Sequence, residues 1–406
     1  MATGNPNLAT LHPVSGVKIS TVSAGIKTPG RNDLVVFELA ERSSVAGVFT
    51  KNRFCAAPVT LSKQHLSEAS VRYLVVNTGN ANAGTGEQGM KDAKATCERL
   101  AEIMEVEANQ VLPFSTGVIG ENLPMDRLLN ALPLVKSALV EDGWVEAASG
   151  IMTTDTRPKG ASVQFEYQGE TITITGLSKG AGMIKPNMAT MLGFIATDAV
   201  IAPDVLQGLL TETATKSFNR ITVDSDTSTN DSCILVATGQ VEAAVINSEQ
   251  DPLFAVFKAH LQALMIDLAQ AIIRDGEGAT KFVSVQVENA VSQDEALEIA
   301  YTVAHSPLVK TALFACDPNW GRILAAVGRA NIAPFDLNKL AIYLDDVCIV
   351  EHGGRALSYS EADGQDVMNR EDITIRIDMA SGEASETVWT SDLSHDYVTI
   401  NAEYRT

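Results

Sequence analysis

The sequence is 406 residues long, 45% hydrophobic and only 5% aromatic, with 29 glycines; this points to two or three domains of about 150 residues with small, close-packed interiors. A formal charge of −20 argues against a nucleic-acid partner, which would need a basic face, and leaves the capture of any anionic substrate to a local Lys or Arg. Five scattered cysteines without a CxxC pair and six dispersed histidines without HxxxH or HxH argue for reduced thiols and against a metal site, and no cofactor is expected.

The chain opens without the basic and then apolar pattern of a leader. No uninterrupted apolar run reaches the roughly 18 residues of a membrane helix, so a cytoplasmic protein without a membrane partner is expected. Strands are expected at Val17–Val22, Leu34–Leu39 and Val45–Thr50, which are rich in β-branched and aromatic residues and divided by Gly, Pro and Asn turns. A further strand, Tyr73–Asn77, runs into a Gly/Asn-rich loop from Thr78 to Gly89. A helix follows with Ala93, Cys97, Leu100, Ala101 and Met104 on one face. Helices are expected around 125–139 and 203–218, the second with Pro203 in a favoured first-turn position. Another begins near Pro252, where Leu253, Phe257, Leu261, Leu264, Leu268 and Ile272 recur at helical spacing. Ile373–Asp378 alternates strictly, Ser381-Gly382 marks a hairpin turn, and Tyr397–Asn401 reads as a closing strand. Strands and helices mixed without regular βαβ alternation imply an α+β or layered α/β architecture of mixed sheets flanked by helices.

Gly84-Thr-Gly86-Glu-Gln-Gly89 fits G-x-G-x-x-G, but a dinucleotide fingerprint needs its first glycine directly after a strand and an acid about 20 residues on. Neither condition is met, so a nucleotide-binding oxidoreductase stays a minor alternative to a turn-rich loop. The more unusual stretch is Ser178–Asp198. There Gly180 and Gly182 lead to Pro186-Asn187, the small-residue junction Ala189-Thr190 opens an apolar run, and Lys179 and Lys185 supply positive charge. A hydroxyl beside a small residue can attack the preceding carbonyl where the backbone is bent. Hydrolysis of the resulting ester then frees Thr190 as an N-terminus. Its α-amine, of ordinary pKa about 7.7–8.0, is within reach of its own Oγ and can activate it. On residues alone, a buried strand with a satisfied threonine hydroxyl is the favoured reading, and Ser115-Thr116-Gly117 reads as a turn.

The run Lys179–Leu192 resembles the self-cleavage segment of the ornithine acetyltransferases, the glutamate N-acetyltransferases of arginine biosynthesis. Leu112–Gly120, Ile151–Lys159, Asp275–Lys281, Asp317–Arg322 and Ile400–Thr406 resemble further family segments in the family's order. The resemblance implies a self-cleaving architecture like that of N-terminal nucleophile enzymes, cut between Ala189 and Thr190 into an alpha chain, 1–189, and a beta chain, 190–406. It implies acetyl transfer from N2-acetylornithine to glutamate through acetylated Thr190 in a ping-pong cycle, with acetyl-CoA an additional donor in some members. Thr116 and Gly117 match the oxyanion positions, where a donor lost typically costs about 100- to 1,000-fold in rate. Thr153, Lys179, Thr190, Glu277, Asn401 and Thr406 match substrate-binding positions, with Lys179 assigned to the α-carboxylate and Glu277 to the δ-ammonium. Arg322 and Lys281 are read as structural ion-pair partners, and the implied assembly is a heterotetramer of two alpha and two beta chains. A self-cleaving amidase or peptidase that passes the acyl group to water, and a non-catalytic assembly protein, are the competing readings.

Overall fold

The computed structural model describes residues 2–5, 7–185 and 191–403. In chain order the first strands are β1 (Val17–Val22), β2 (Leu34–Leu39), β3 (Ser44–Phe49), β4 (Tyr73–Asn80), β5 (Val111–Val118), β6 (Lys159–Tyr167), β7 (Glu170–Lys179) and β8 (Leu192–Ile201). They continue as β9 (Ile221–Thr222), β10 (Ser232–Ile246), β11 (Phe282–Ala290), β12 (Ala341–Leu344), β13 (Val347–Glu351), β14 (Gly354–Arg355), β15 (Asp372–Asp378) and β16 (Ala384–Ser391). Three sheets form, ordered β1-β2-β4-β5, β3-β10-β8-β7-β6 and β14-β13-β12-β15-β11-β16-β9.

Alternation along the strands decides what each face buries, because successive side chains point to opposite sides of a sheet. In β2, Val35 and Phe37 point into the core shared by the first two sheets, meeting Phe194 and Ala196 of β8 and Val236 of β10. Leu34 and Val36 point the other way, onto Ala93, Cys97 and Leu100 of helix Gly86–Met104 and onto Leu128 of helix Met125–Val135. On the far side of the second sheet, Ile195 and Leu235 pack against Leu261, Leu264, Leu268 and Ile272 of helix Pro252–Arg274. Two sheets are thus stacked face to face with helices outside each. Phe194, Phe37 and Phe114 clasp one another at the centre, with ring centroids 5.3 Å and 5.1 Å from Phe194. The third sheet builds its own core with helices Gln293–Ala304, Pro307–Phe314 and Trp320–Gly328. The architecture is α+β, of mixed sheets flanked by helices.

Several sequence expectations need correction. The strand at 73 continues to Asn80, and the loop ends where a helix begins at Gly86. Asn82 and Thr85 spend their side chains inside that loop, Asn82 Nδ2 on Gly89 O (2.8 Å) and Thr85 Oγ1 on Asn82 Oδ1 (2.9 Å). Ser115-Thr116-Gly117 is strand, not turn. Strands β15 and β16 do not pair as a hairpin. β11 lies between them, parallel to β15 and antiparallel to β16, and Asn289 O takes the N–H groups of Ser381 and Gly382.

Tyr397–Asn401 belongs to helix His395–Ala402. Ser394 caps it by accepting from Tyr397 N, and none of its residues is buried, so no sheet face was there to reward the alternation. Lys281 and Arg322 form no ion pair among the described residues. They donate to carbonyls instead, Lys281 Nζ to Arg370 O (2.7 Å) and Arg322 Nη1 to Leu308 O (2.9 Å). Helix Pro252–Arg274 has 23 residues with mean hydropathy 1.3 over its most apolar window. It is long and apolar enough for a membrane span by length and composition, although Lys258, His260, Gln262 and Asp267 interrupt its apolar residues. Its apolar side is spent on the second sheet.

Candidate active site

The second sheet brings the end of β7 beside the start of β8, with Lys179 paired to Leu192 in antiparallel register. The two flanks of the stretch 186–190 are tied down. On one side Asp224 accepts from Met183 N (2.6 Å) and Ile184 N (2.8 Å), and Val223 N donates to Ile184 O (2.8 Å). On the other, Ser232 N donates to Met191 O at 2.9 Å. Ala189 and Thr190, the expected cleavage pair and nucleophile, lie outside the described residues, as does Thr406.

A cavity of about 290 Å³ opens here, lined by Thr116, Gly117, Thr153, Lys179, Met191, Asp231, Glu277 and Asn401 among others. Six of the expected site residues therefore share one space: Thr116, Gly117, Thr153, Lys179, Glu277 and Asn401. A second cavity of about 290 Å³ adjoins it, sharing Gly117, Val118, Thr153 and Thr154, with Lys27 and Arg31 on its far wall.

Lys179 is buried, and its Nζ donates to Thr116 Oγ1 (2.9 Å) and Thr153 Oγ1 (2.8 Å). Because Lys179 occupies a lone pair on Thr116, the hydroxyl proton of Thr116 is free to point at something else, as an oxyanion donor must. Burial pulls the Lys179 ammonium below the usual lysine range; Asp155, Asp231 and Glu277 oppose that pull and Lys159 adds to it.

Gly117, at φ +136°, runs against β4: a Cβ there would lie 2.3 Å from the carbonyl carbon of Gly79. Only glycine permits that approach. The strand is held in place by Asn230, whose Nδ2 donates to Ala81 O (2.5 Å) and Ser115 O (2.9 Å), and by Ser115 Oγ on Asn77 Oδ1 (2.5 Å).

Glu277 faces the same cavity from the turn after helix Pro252–Arg274, and its backbone N donates to Ala181 O at 2.8 Å. Its Oε2 accepts from Asn401 Nδ2 at 2.8 Å, which brings helix His395–Ala402 over the site. Gly182 leaves room for this carboxylate, since a Cβ on it would lie 2.3 Å from Oε2.

Two groups went unnoticed in the sequence. Asp231 is 3% exposed, and its Oδ2 has no hydrogen-bond partner among the described residues. Burial pushes its carboxyl well above the usual range, against the pull of Ser228 and Lys179. The other is a buried ion triad. Lys159 Nζ sits 2.6 Å from Asp155 Oδ1 and 2.6 Å from Asp275 Oδ2, with all three side chains at most 1% exposed. The Asp155/Lys159 spacing of four was visible in the chain, but nothing in the sequence pairs either with Asp275, 116 residues beyond Lys159.

The cavity lining thus includes a cation bonded to two hydroxyls and a carboxylate held by an amide. A family profile described as the ArgJ family matches residues 18–406. The arginine biosynthesis bifunctional protein ArgJ of Pseudomonas fluorescens (strain Pf0-1) is 59% identical over 406 residues, covering 100% of both chains. The protein of the same description from Pseudomonas syringae pv. tomato is 58% identical over 406 residues and 100% of both. A crystal structure of ornithine acetyltransferase from Mycobacterium tuberculosis, complexed with ornithine, is 36% identical over 44% of this chain and 94% of that one, with a TM-score of 0.38. With the family profile covering nearly the whole sequence and full-length relatives at this identity, the chain belongs to the ArgJ family and is an acetyltransferase of arginine biosynthesis.

Proposed function

We propose that the chain breaks between Ala189 and Thr190, yielding an alpha chain of 1–189 and a beta chain of 190–406. The mature enzyme then transfers the acetyl group of N2-acetylornithine to glutamate through acetyl-Thr190. The observation that carries this reading is the single cavity in which Lys179, with the Thr116 and Thr153 hydroxyls, faces Glu277 and Asn401. A donor with a carboxylate at one end and an ammonium at the other meets complementary charge at both. Met191, next in sequence to Thr190, lines the same space.

In the first half-reaction Thr190 Oγ attacks the acetyl carbonyl while its α-amine takes the hydroxyl proton. The Thr116 hydroxyl and the Gly117 N–H receive the oxyanion. Collapse passes the proton to the departing amine and releases ornithine. Glutamate then attacks the ester through its own amine, and the proton returns to Oγ. Thr406 is read as a further substrate-binding residue, and the mature protein assembles as two alpha and two beta chains.

Denaturing electrophoresis with N-terminal sequencing tests the first step. Two chains are expected, the second beginning at Thr190, with Thr190→Ala uncleaved; a single chain in fully active protein overturns the scheme. An acetylated enzyme should pass its acetyl group to glutamate faster than to water, whereas free acetate at saturating glutamate would make the protein an amidase. The Pseudomonas relatives are described as bifunctional, and acetyl-CoA as a second donor is read in the same assay by thiol release.

A further inference from the structure

The Asp155–Lys159–Asp275 triad is not in the cavity, yet each acid is bonded to a segment that is. Asp155 Oδ2 accepts from Thr153 N (2.9 Å), and its Oδ1 accepts from Gly180 N (2.8 Å), the residue after Lys179, as well as from Lys159. Asp275 accepts from Thr156 N (3.0 Å) and from the Thr156 hydroxyl, and it stands two residues before Glu277. Three segments carry the groups that would grip a substrate: the loop with Thr153, the end of β7 with Lys179, and the turn with Glu277. They come from distant parts of the chain, and one buried ammonium joins them.

Such a cluster is a poor device for stability alone. Moving its charges out of water costs several kcal/mol per ion, and apolar replacements of similar volume are often as stable or more so. What fully hydrogen-bonded ions do supply is a fixed geometry. With Oδ1 shared by Gly180 N and Lys159 Nζ and Oδ2 taken by Thr153 N, the Asp155 carboxylate is fixed from both ends and holds the Thr153 and Gly180 backbones in one arrangement. Asp155 is pulled below the usual carboxylate range by Lys159, Lys179 and these hydrogen bonds, which together outweigh its burial, so it stays ionised at neutral pH.

The geometry points to Asp155, Lys159 and Asp275 as positioning residues that set the separation between Lys179 and Glu277, and so select the chain length of the diamino acid the site accepts. The inference rests on the substrate reading above. Apart from the triad, the turn with Glu277 is joined to the segment after Lys179 by the backbone bond from Glu277 N to Ala181 O. Without the triad the Thr153 loop, the end of β7 and that turn would lose their shared anchor, and a ligand one methylene shorter or longer would be tolerated. A rigid site discriminates a methylene by roughly 10- to 200-fold.

Calorimetric titration of the mature protein with ornithine, its one-carbon-shorter homologue 2,4-diaminobutyrate and its one-carbon-longer homologue lysine tests this. The parent should prefer ornithine by roughly 10-fold or more. Asp155→Asn keeps the shape but removes the charge that holds Lys159, and should bring the three affinities within a few-fold of one another. In the same variant Lys179 loses the acid that most opposes the effect of its burial. The groups left facing it are Lys159, Asp231 and Glu277, so the alkaline limb of ligand binding should move to lower pH by about one to three pH units.

An unchanged length preference and an unchanged alkaline limb in folded Asp155→Asn overturn the inference. Should that variant not fold, Thr156→Val removes only the hydroxyl bond to Asp275, and there too the preference must narrow. A parent that binds ornithine selectively but transfers no acetyl group supports the triad and overturns the reading of function.

Discussion

Replacing Gly117 with alanine puts a methyl group where β4 already lies. The added Cβ would stand 2.3 Å from Gly79 C, 2.5 Å from Asn80 N and 2.6 Å from Gly79 O, against about 3.5–4.0 Å for a comfortable carbon contact. None of these atoms is the end of a flexible side chain, so the strands themselves must part by roughly 1 Å. Gly79 and Gly117 are register partners in the parallel β4–β5 pair, which gives the clash no loop into which to relax. The residue must also hold φ near +136°, where alanine is strained by about 1–3 kcal/mol. Overpacking adds about 1–3 kcal/mol. A total of roughly 2–6 kcal/mol is a large share of the ~5–15 kcal/mol of a folded domain. Displacing Thr116 by about 1 Å should lower turnover on the order of 100-fold as well. Urea melts would read the first effect and acetyl transfer from acetylornithine the second. Parental stability and turnover would refute both the close approach of the strands and the catalytic use of this end of β5.

Two further outcomes follow from the site. Asn401→Ala removes the amide that bonds Glu277 from a helix with no buried residue. It should raise the KM for acetylornithine by roughly 10- to 100-fold, as for a hydrogen bond to a charged group, and lower stability by about 1–3 kcal/mol because the buried Glu277 carboxylate loses a partner. Asp231→Asn tests the buried carboxyl. Since folding raises its pKa, the parent binds an extra proton in the native state. The resulting stabilisation is fully present below the ordinary carboxylate pKa of about 3.9 and is lost as pH rises through the higher folded value. The asparagine variant should therefore gain on the parent as pH rises above about 4 in urea melts, and parallel pH profiles would count against a raised pKa.

Much of the fold was legible where local pattern and tertiary role agree. β1 and β2 begin and end where the β-branched runs do, and helix Pro252–Arg274 carries its expected apolar face. Errors arose where context overrode the pattern. Tyr397–Asn401 alternates like a strand but has a serine cap and no edge to join. The turn at Ser381 connects strands that β11 keeps apart, and no local signal announces a third strand entering from about 90 residues upstream. For the site, the motif resemblance gathered six residues that prove to share a cavity. Asp231 and the triad stayed hidden because their meaning lies in burial and in partners remote in sequence, neither of which spacing encodes.

The second sheet has one more implication. In the order β3-β10-β8-β7-β6, β3 on one side and β7 and β6 on the other precede residue 190, while β10 and β8 between them follow it. A break at that point would leave the earlier piece wrapped around both edges of the later one, joined along the seams β3–β10 and β7–β8. The halves could not be exchanged between molecules or parted by dilution without unzipping a sheet. Yet once unfolded they would have to find each other in solution, so recovery from denaturant would become second order in protein. Such a protein would behave as one body in every measurement made without denaturant, and as two in its own reassembly.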